Sequence, residues 1–340
     1  MSLRPIEIIG GGLAGLSLGI ALRREDVPVA LHEAGRYPRH RVCGEFITGL
    51  AASTIDRLTL APALAGALCH REVAWFLRGG APQIQALPAP ALGLSRHTLD
   101  ARLAGSFVAT GGELRTGSRV SEPTGQPGRI LATGRRRSTL SPWIGLKIHV
   151  RDLALIRDLE MHLGAECYVG LSRVEDDTVN VCGLFRRRAV PGRGASLLAG
   201  YLRSAGLGAL ADRLAAASVV TGSFTAVAAL AFDRRTTLSE GLSLGDAGAM
   251  IPPFTGNGMA MAFQSAELAL DPLLAYARGE SDWTQACRAT QRALRSRFRV
   301  RLASAGALHP FLLHPRRQRW FAALGRARLL PFGPLYASLH

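Results

Sequence analysis

Lysine is nearly absent from this chain. Lys147 is the single one, so 40 of the 41 basic residues are arginine. That bias fits a GC-rich coding sequence as well as any function, so the formal charge of +16 says less than its placement. Acid is missing from Trp283 to His340, a stretch with eleven arginines and no Asp or Glu. Such a stretch reads as solvated basic helix faces, or as a surface for an acidic carrier protein or an anionic membrane. Aromatic residues are only 6% of the chain and do not alternate with the arginines, which argues against nucleic-acid binding. Cysteine is sparse: Cys43, Cys69, Cys167, Cys182 and Cys287 are scattered, odd in number and never spaced C-x-x-C. With no signal-peptide pattern, this leads to the expectation of a reducing cytoplasm, no disulfide framework and no metal site. No apolar run approaches the ~20 residues that span a bilayer, which leaves peripheral membrane contact open. Internal repeats and low-complexity linkers are also absent.

What is present is a large core. The chain has 340 residues, 48% of them hydrophobic, enough for two domains. Early segments alternate between strand and helix, which points to an α/β class. Pro5 to Ile9 reads as a strand, Leu13 to Arg24 as a helix, and Val27 to Glu33 as a second strand. Arg71 to Leu77 and Ile84 to Leu87 read as short strands closed by a proline-rich turn, Pro88-Ala89-Pro90. Thr98 to Thr110 is expected to be helical, with strands at 113–120 and 129–133 joined by a Gly/Pro turn at 123–128. From Trp143 the texture changes. Segments 143–150, 159–163, 165–171 and 178–185 read as strands separated by turns, with a hairpin at Asp176-Asp177. A mostly antiparallel sheet is the expectation there, then helices to about residue 215, a strand at 241–245, a helix at 257–277 and basic helices to the end.

Two segments carry chemistry. Gly10, Gly12 and Gly15 form G-x-G-x-x-G between a strand and a helix that opens with Leu13 and Ala14. The first glycine makes the turn, the second lets a pyrophosphate approach, and the third lets helix and strand pack. The helix N-terminus then favours the anion. Glu33, about twenty residues on, is placed to take ribose hydroxyls. This motif does not separate NAD from FAD. The second segment, Gly245-Asp246 followed by Pro252-Pro253 and Gly256-Asn257-Gly258-Met259, places an acid at a strand end before a second helix N-terminus. Asp246 suits the hydroxyls of a ribityl chain, and bare N–H groups at 256–258 suit the anionic edge of a reduced flavin.

Together these segments resemble the two halves of the flavin site in the p-hydroxybenzoate hydroxylase and geranylgeranyl reductase superfamily. Three more segments support the resemblance, which spans roughly residues 5–280. Arg96-His97-Thr98-Leu99-Asp100 resembles the family's R-x-x-L-D helix, whose arginine lies near FAD. Ala132-Thr133-Gly134 resembles its A-D-G segment, and Arg41-Val42-Cys43-Gly44-Glu45 a loop of the reductase branch. The resemblance implies a discontinuous GxGxxG-type FAD-binding domain from 1–69, 91–140 and 221–282. An inserted substrate domain from 70–90 and 141–220 and a helical tail at 283–340 complete the implied layout. It also implies bound FAD, with NADPH or NADH as electron donor. Thr133 stands where the family has the aspartate that serves FAD and NADPH, so direct NADPH use is in doubt. The W-x-W-x-I-P motif of flavin halogenases is absent, which argues against halogenation.

The expected activity is hydroxylation of an aromatic, polyketide-like or lipophilic small molecule through a flavin C4a-(hydro)peroxide. Reduction of C=C bonds in an isoprenoid-like lipid is the alternative, and a non-redox ligand-binding or cyclase role is the third. Cys43 is read as a thiol beside the flavin or a small buried hydrophobe, and Glu45 as an acid/base or a structural acceptor. Alternation along 143–150 places Trp143, Gly145, Lys147 and His149 on one face, which is either solvated or turned to the substrate.

Overall fold

The computed structural model describes residues 2–77, 81–120, 125–135, 138, 140–230, 232, 241–327, 329 and 331–339. Arg136 and Arg137 of the A-D-G-like segment, and Pro123-Thr124 of the expected turn, lie outside the described residues.

In chain order the elements begin with β1 (Ile6–Ile9), α1 (Leu13–Arg23), β2 (Val29–Glu33) and β3 (Phe46–Ile47). Then come α2 (Ala52–Arg57), α3 (Ala61–Leu64), β4 (Leu68–Phe76), β5 (Gln83–Gly93), α4 (Arg96–Ala109), β6 (Glu113–Thr116) and β7 (Arg129–Leu131). The middle of the chain gives β8 (Trp143–Arg151), β9 (Leu159–Gly164), β10 (Cys167–Val174), β11 (Thr178–Arg186), α5 (Ala195–Ser204) and α6 (Gly208–Ala215). Short strands β12 (Ser218–Val219), β13 (Thr225–Ala228) and β14 (Leu242–Ser243) precede the helices α7 (Gly258–Ala277), α8 (Trp283–Leu313), α9 (Pro315–Arg326) and α10 (Phe332–Leu339).

Two sheets organise the chain. The first is five-stranded and parallel, in the order β14-β7-β1-β2-β6. Its strands are short, and α1 is apolar all round, as a helix enclosed on every side must be. It packs between this sheet, α4 and α7, in a core that includes Leu16, Leu103, Phe107 and Phe263. The second sheet is nine-stranded, in the order β12-β8-β11-β10-β9-β4-β5-β3 with β13 also on β8. It is antiparallel except where β4 meets β9. Asp176 and Asp177 close the β10–β11 hairpin with φ of 58° and 51°, a conformation that Asp tolerates.

Period-two alternation explains the second sheet. Leu146, Ile148 and Val150 on β8 pack with Leu198 and Leu202 of α5 in one apolar cluster. Each such burial stabilises by roughly 1.5–3 kcal/mol. The opposite face turns toward the parallel-sheet half of the molecule.

One expected turn is a strand. Pro88-Ala89-Pro90 lies inside β5, where the β4–β5 register shifts between His70 and Glu72. Proline is tolerated at such a bulge because no ladder donor is required there. The N–H groups of Arg71 and Glu72, which lose their partners, donate instead to Asp158, at 2.7 and 3.3 Å. The other expected elements are present, with ends that differ by one to a few residues in either direction.

Candidate active site

In the glycine turn after β1, Gly10 makes the turn and Gly15 the close packing that the spacing predicts. At Gly10 φ is 116°, and a Cβ would meet the Ala132 carbonyl oxygen at 2.2 Å. At Gly15 a Cβ would meet the Gly10 oxygen at 2.1 Å. Gly12 differs: nothing lies within 4 Å of a Cβ there. It precedes α1, whose N-terminus no side chain caps. The N–H groups of that first turn, through Leu13 and Ala14, therefore point into open space.

Glu33, at the end of β2, is buried but already occupied. It accepts from the N–H groups of Gly11 (3.0 Å) and Gly35 (2.7 Å) and from Arg39 (2.6 Å). Arg41 stands 3.5 Å away. The carboxylate thus fastens the 33–41 loop to the glycine turn. Arg41 and Arg96 share one acid, donating to the fully buried Asp100 at 2.8 and 2.7 Å.

About the second helix N-terminus, Gly245 and Asp246 form a single 3-10 turn after β14. Among the described residues no donor hydrogen-bonds the Asp246 carboxylate. Asp246 is exposed to the open space beside the cavity, yet the protein around its carboxylate pushes the pKa up by desolvation, and the charges of Arg96 and Arg135 pull it partly back. Pro253 opens a further 3-10 turn that ends at Gly256, where φ is 68° and a Cβ would strike the Phe46 ring at 2.5 Å. The expected row of bare N–H groups is shorter than 256–258. Gly256 N–H donates to Pro253 and Asn257 N–H to the Thr255 hydroxyl, because the turn closes on itself. No side chain caps α7, so the N–H groups of Gly258 and Met259 carry the expectation instead. Asn257 is fully buried. Its Nδ2 donates to the Leu339 carbonyl at 2.7 Å, while its buried Oδ1 has no partner among the described residues.

These features fit FAD. Two uncapped helix N-termini, open space at Gly12, Gly134 and Gly258, and an unpartnered carboxylate at Asp246 match a diphosphate, a polyhydroxy linker and an anionic ring edge. The residues that would hold the diphosphate are Gly12 to Ala14, and those that would hold the linker and ring are Asp246 and Pro253 to Met259.

A cavity of about 250 Å³ adjoins Asp246 and Gly256. One wall is the inner face of the second sheet, where Tyr168, Gly170 and Ser172 alternate along β10. The 42–46 loop, including Cys43, forms a second wall, and Leu312, Phe321, Leu335 and Tyr336 of the last three helices close it. The lining is mainly apolar, with few polar groups. Cys43 opens onto this space, and burial pushes its thiol pKa up, so it remains S–H.

Behind that loop lies a buried ionic cluster. Glu45 adopts φ 53°, a conformation that non-glycine residues rarely hold without a reason. Its carboxylate accepts from the Arg96 N–H at 3.0 Å, faces Lys147 Nζ at 3.2 Å and meets His149 Nε2 at 2.5 Å. Lys147 also contacts His40 Nδ1 at 3.0 Å. Burial, and then the Lys147 charge, lowers the His40 pKa to about 4. Ser172 and Asn180 donate to the carbonyls of Gly44 and Cys43, at 2.8 and 3.0 Å. On the polar face of β8, Gly145 lines the cavity and Trp143 is half-buried, but Lys147 and His149 are neither solvated nor part of the lining. Lys147 is fully buried and His149 nearly so, and both anchor the loop that is the cavity wall.

Some residues of the site escaped the sequence. Tyr168 shares a contact with His309 of α8 (3.3 Å), and Phe254 stacks on that imidazole at 5.9 Å between centroids. Alternation along 165–171 marks Tyr168 as a face residue, but nothing in the sequence pairs it with a helix 141 positions away. The tail is also more than a basic surface. Arg301 is buried and donates to Gln264, and the last helices complete the cavity.

No protein-family model matches the chain, and no curated protein is similar to it. Solved structures are similar in fold. The flavin-dependent brominase Bmp2 matches over 100% of this chain and 93% of its own, at 18% identity and a TM-score of 0.75. PqsL of Pseudomonas aeruginosa, solved with 2-aminobenzoylacetate, matches over 94% and 98%, at 16% identity and a TM-score of 0.72. A geranylgeranyl bacteriochlorophyll reductase-like protein of Thermoplasma acidophilum matches over 96% and 92%, at 15% identity and a TM-score of 0.70. The chain shares its fold with these proteins. Among the described residues no helix is long and apolar enough to cross a membrane.

Proposed function

We propose that this chain is an FAD-dependent oxidoreductase that hydroxylates a lipophilic small molecule. The observation that carries the reading is that Asp246, the α7 N-terminus and a predominantly apolar cavity meet at one place. When bound there, FAD supplies two-electron redox chemistry and the activation of dioxygen. The chain's own residues bind, orient and exclude water. Asp246 accepts hydroxyl donors, and the first turn of α7 stabilises negative charge. Phe254, Leu312 and Phe321 keep the reacting space apolar. Tyr168, hydrogen-bonded to a neutral His309, orients a polar group of the substrate. Glu45, Lys147 and His149 act as positioning residues that fix the 43–45 loop.

A second reading rests on Cys43. A protonated thiol on the cavity wall suits proton delivery during saturation of a C=C bond. The two readings separate in one experiment. The loaded protein is reduced anaerobically, with dithionite, NADH and NADPH in parallel, and mixed rapidly with oxygenated buffer. A transient species that absorbs unlike either oxidised or reduced cofactor supports hydroxylation. Monotonic reoxidation, together with loss of C=C reduction in Cys43→Ser, supports saturation and overturns the first reading.

A further inference from the structure

The last helices carry an outward face that the cavity does not use. On α9 the inner face is settled by contacts. Gln318 donates to the carbonyls of Gly164 and Leu312 at 2.8 and 2.6 Å, and Phe321 packs toward Trp75 at 6.3 Å between centroids. Successive residues turn by about 100°, so Trp320 faces away from Gln318, Arg316 and Leu324 lie one turn to either side of it, and Arg317 and Leu324 border the outer face next to Phe321. Trp320 is 71% exposed, and Leu324 39%. Arg316, Arg317 and Arg319 are exposed around them. Phe311 at the end of α8, 40% exposed, lies under the Arg317 guanidinium at 5.4 Å. Leu329, just past α9, is 68% exposed.

Neither half of this pattern is ordinary alone. A solvated basic face has no use for a tryptophan that stands almost free in water. Tryptophan and arginine also serve protein interfaces, and an acidic protein partner is the alternative outcome of the test below. Arginines around an exposed Trp and Leu ridge match the water–lipid boundary, where the indole sits at headgroup level and guanidinium groups meet anionic headgroups. The absence of any acid from Trp283 onward removes the repulsion such a surface would otherwise feel.

We propose that α9, with its flanking Phe311 and Leu329, is a docking face for an anionic membrane surface. The helix lies in the interface plane with Trp320 and Leu324 inserted and Arg316, Arg317 and Arg319 on the headgroups. Phe321, on the inner face of the same helix, is part of the cavity wall, so docking places the cavity one helix away from the lipid. The docking stands whatever reaction the cavity supports.

The test uses the full, cofactor-loaded chain and vesicles of phosphatidylcholine with or without phosphatidylglycerol. Flotation is measured at low and physiological salt, and tryptophan emission is followed with brominated acyl chains. The expected result is binding to the anionic vesicles only, with quenching by brominated lipid that Trp320→Ser abolishes. Each arginine near an anionic surface strengthens binding roughly fivefold, so Arg316→Gln/Arg317→Gln/Arg319→Gln weakens it on the order of 100-fold at low salt. Trp320→Ser/Leu324→Ser weakens it about tenfold or more. These side chains are exposed, so cofactor content and thermal midpoint stay unchanged. No binding at low salt overturns the proposal. So does binding that depends on the arginines but shows no quenching in the unmodified chain, which instead describes a site for an acidic macromolecule.

Discussion

Glu45 and Lys147 form an ion pair at 3.2 Å in which both side chains are fully buried. The single lysine of the chain is therefore enclosed by protein. It holds a glutamate in left-handed backbone, one residue from the glycine that Ser172 fastens to the sheet. Removing one partner of a buried pair strands the other charge, whereas removing both does not.

Lys147→Met is expected to destabilise the protein by roughly 3–5 kcal/mol, and Glu45→Gln/Lys147→Met by clearly less than the two single changes summed. A double-mutant cycle in denaturant measures this. Additive losses would show that the pair is not coupled, and that the loop owes its place to Ser172 and Asn180.

The glycine turn makes a prediction with two opposite arms. Gly15→Val collides with the Gly10 carbonyl and should unfold the parallel-sheet half. At Gly12 nothing lies within 4 Å of an added Cβ, so Gly12→Val should lower the thermal midpoint of the cofactor-free protein far less than Gly15→Val does. Its side chain fills the space before α1, so FAD retention should drop at least tenfold. A Gly12→Val protein that keeps its flavin would remove α1 from the site.

Asp246→Ala should lower FAD affinity by about 10- to 100-fold, the value of hydrogen bonds to one charged acceptor. Stability without cofactor should stay within about 0.5 kcal/mol, because the side chain is exposed and accepts no hydrogen bond from a described residue. Isothermal titration of the cofactor-free protein gives the affinity. Unchanged affinity would exclude a contact to the linker.

His309 gives a pH dependence. Burial lowers its pKa from 6.5 to about 4. The unfolded chain therefore binds a proton between those values while the folded chain does not. The free energy of unfolding should fall as pH drops from 6.5 toward 4, by roughly 3 kcal/mol, and level off below. His309→Phe should flatten this segment of the stability curve. An unchanged curve would mean that the imidazole is already charged in the fold.

Much of the fold was legible because its signals are local. Alternation on β8 and β10 marked the two faces of the second sheet, and the spacing of Gly10, Gly12 and Gly15 marked the turn. The chemical character of the β8 face was not legible. Whether Lys147 meets water, substrate or protein depends on a loop a hundred residues earlier, and periodicity carries no information on what covers a face. Pro88 and Pro90 misled for a related reason, since a bulge supplied by Asp158 lets proline stay inside a strand. The basic tail was read by charge alone. Phe321, Leu335 and Tyr336 showed no pattern that would place them on a cavity formed by elements far away in sequence.

The most direct measurement is the amount and identity of flavin held by the full chain, as purified and after incubation with FAD. One FAD per chain, reduced in proportion by Gly12→Val and Asp246→Ala, is the expected result. A chain that neither copurifies with FAD nor binds it when supplied would contradict the assignment of Gly12, Asp246 and the α7 N-terminus, and with it the redox reading.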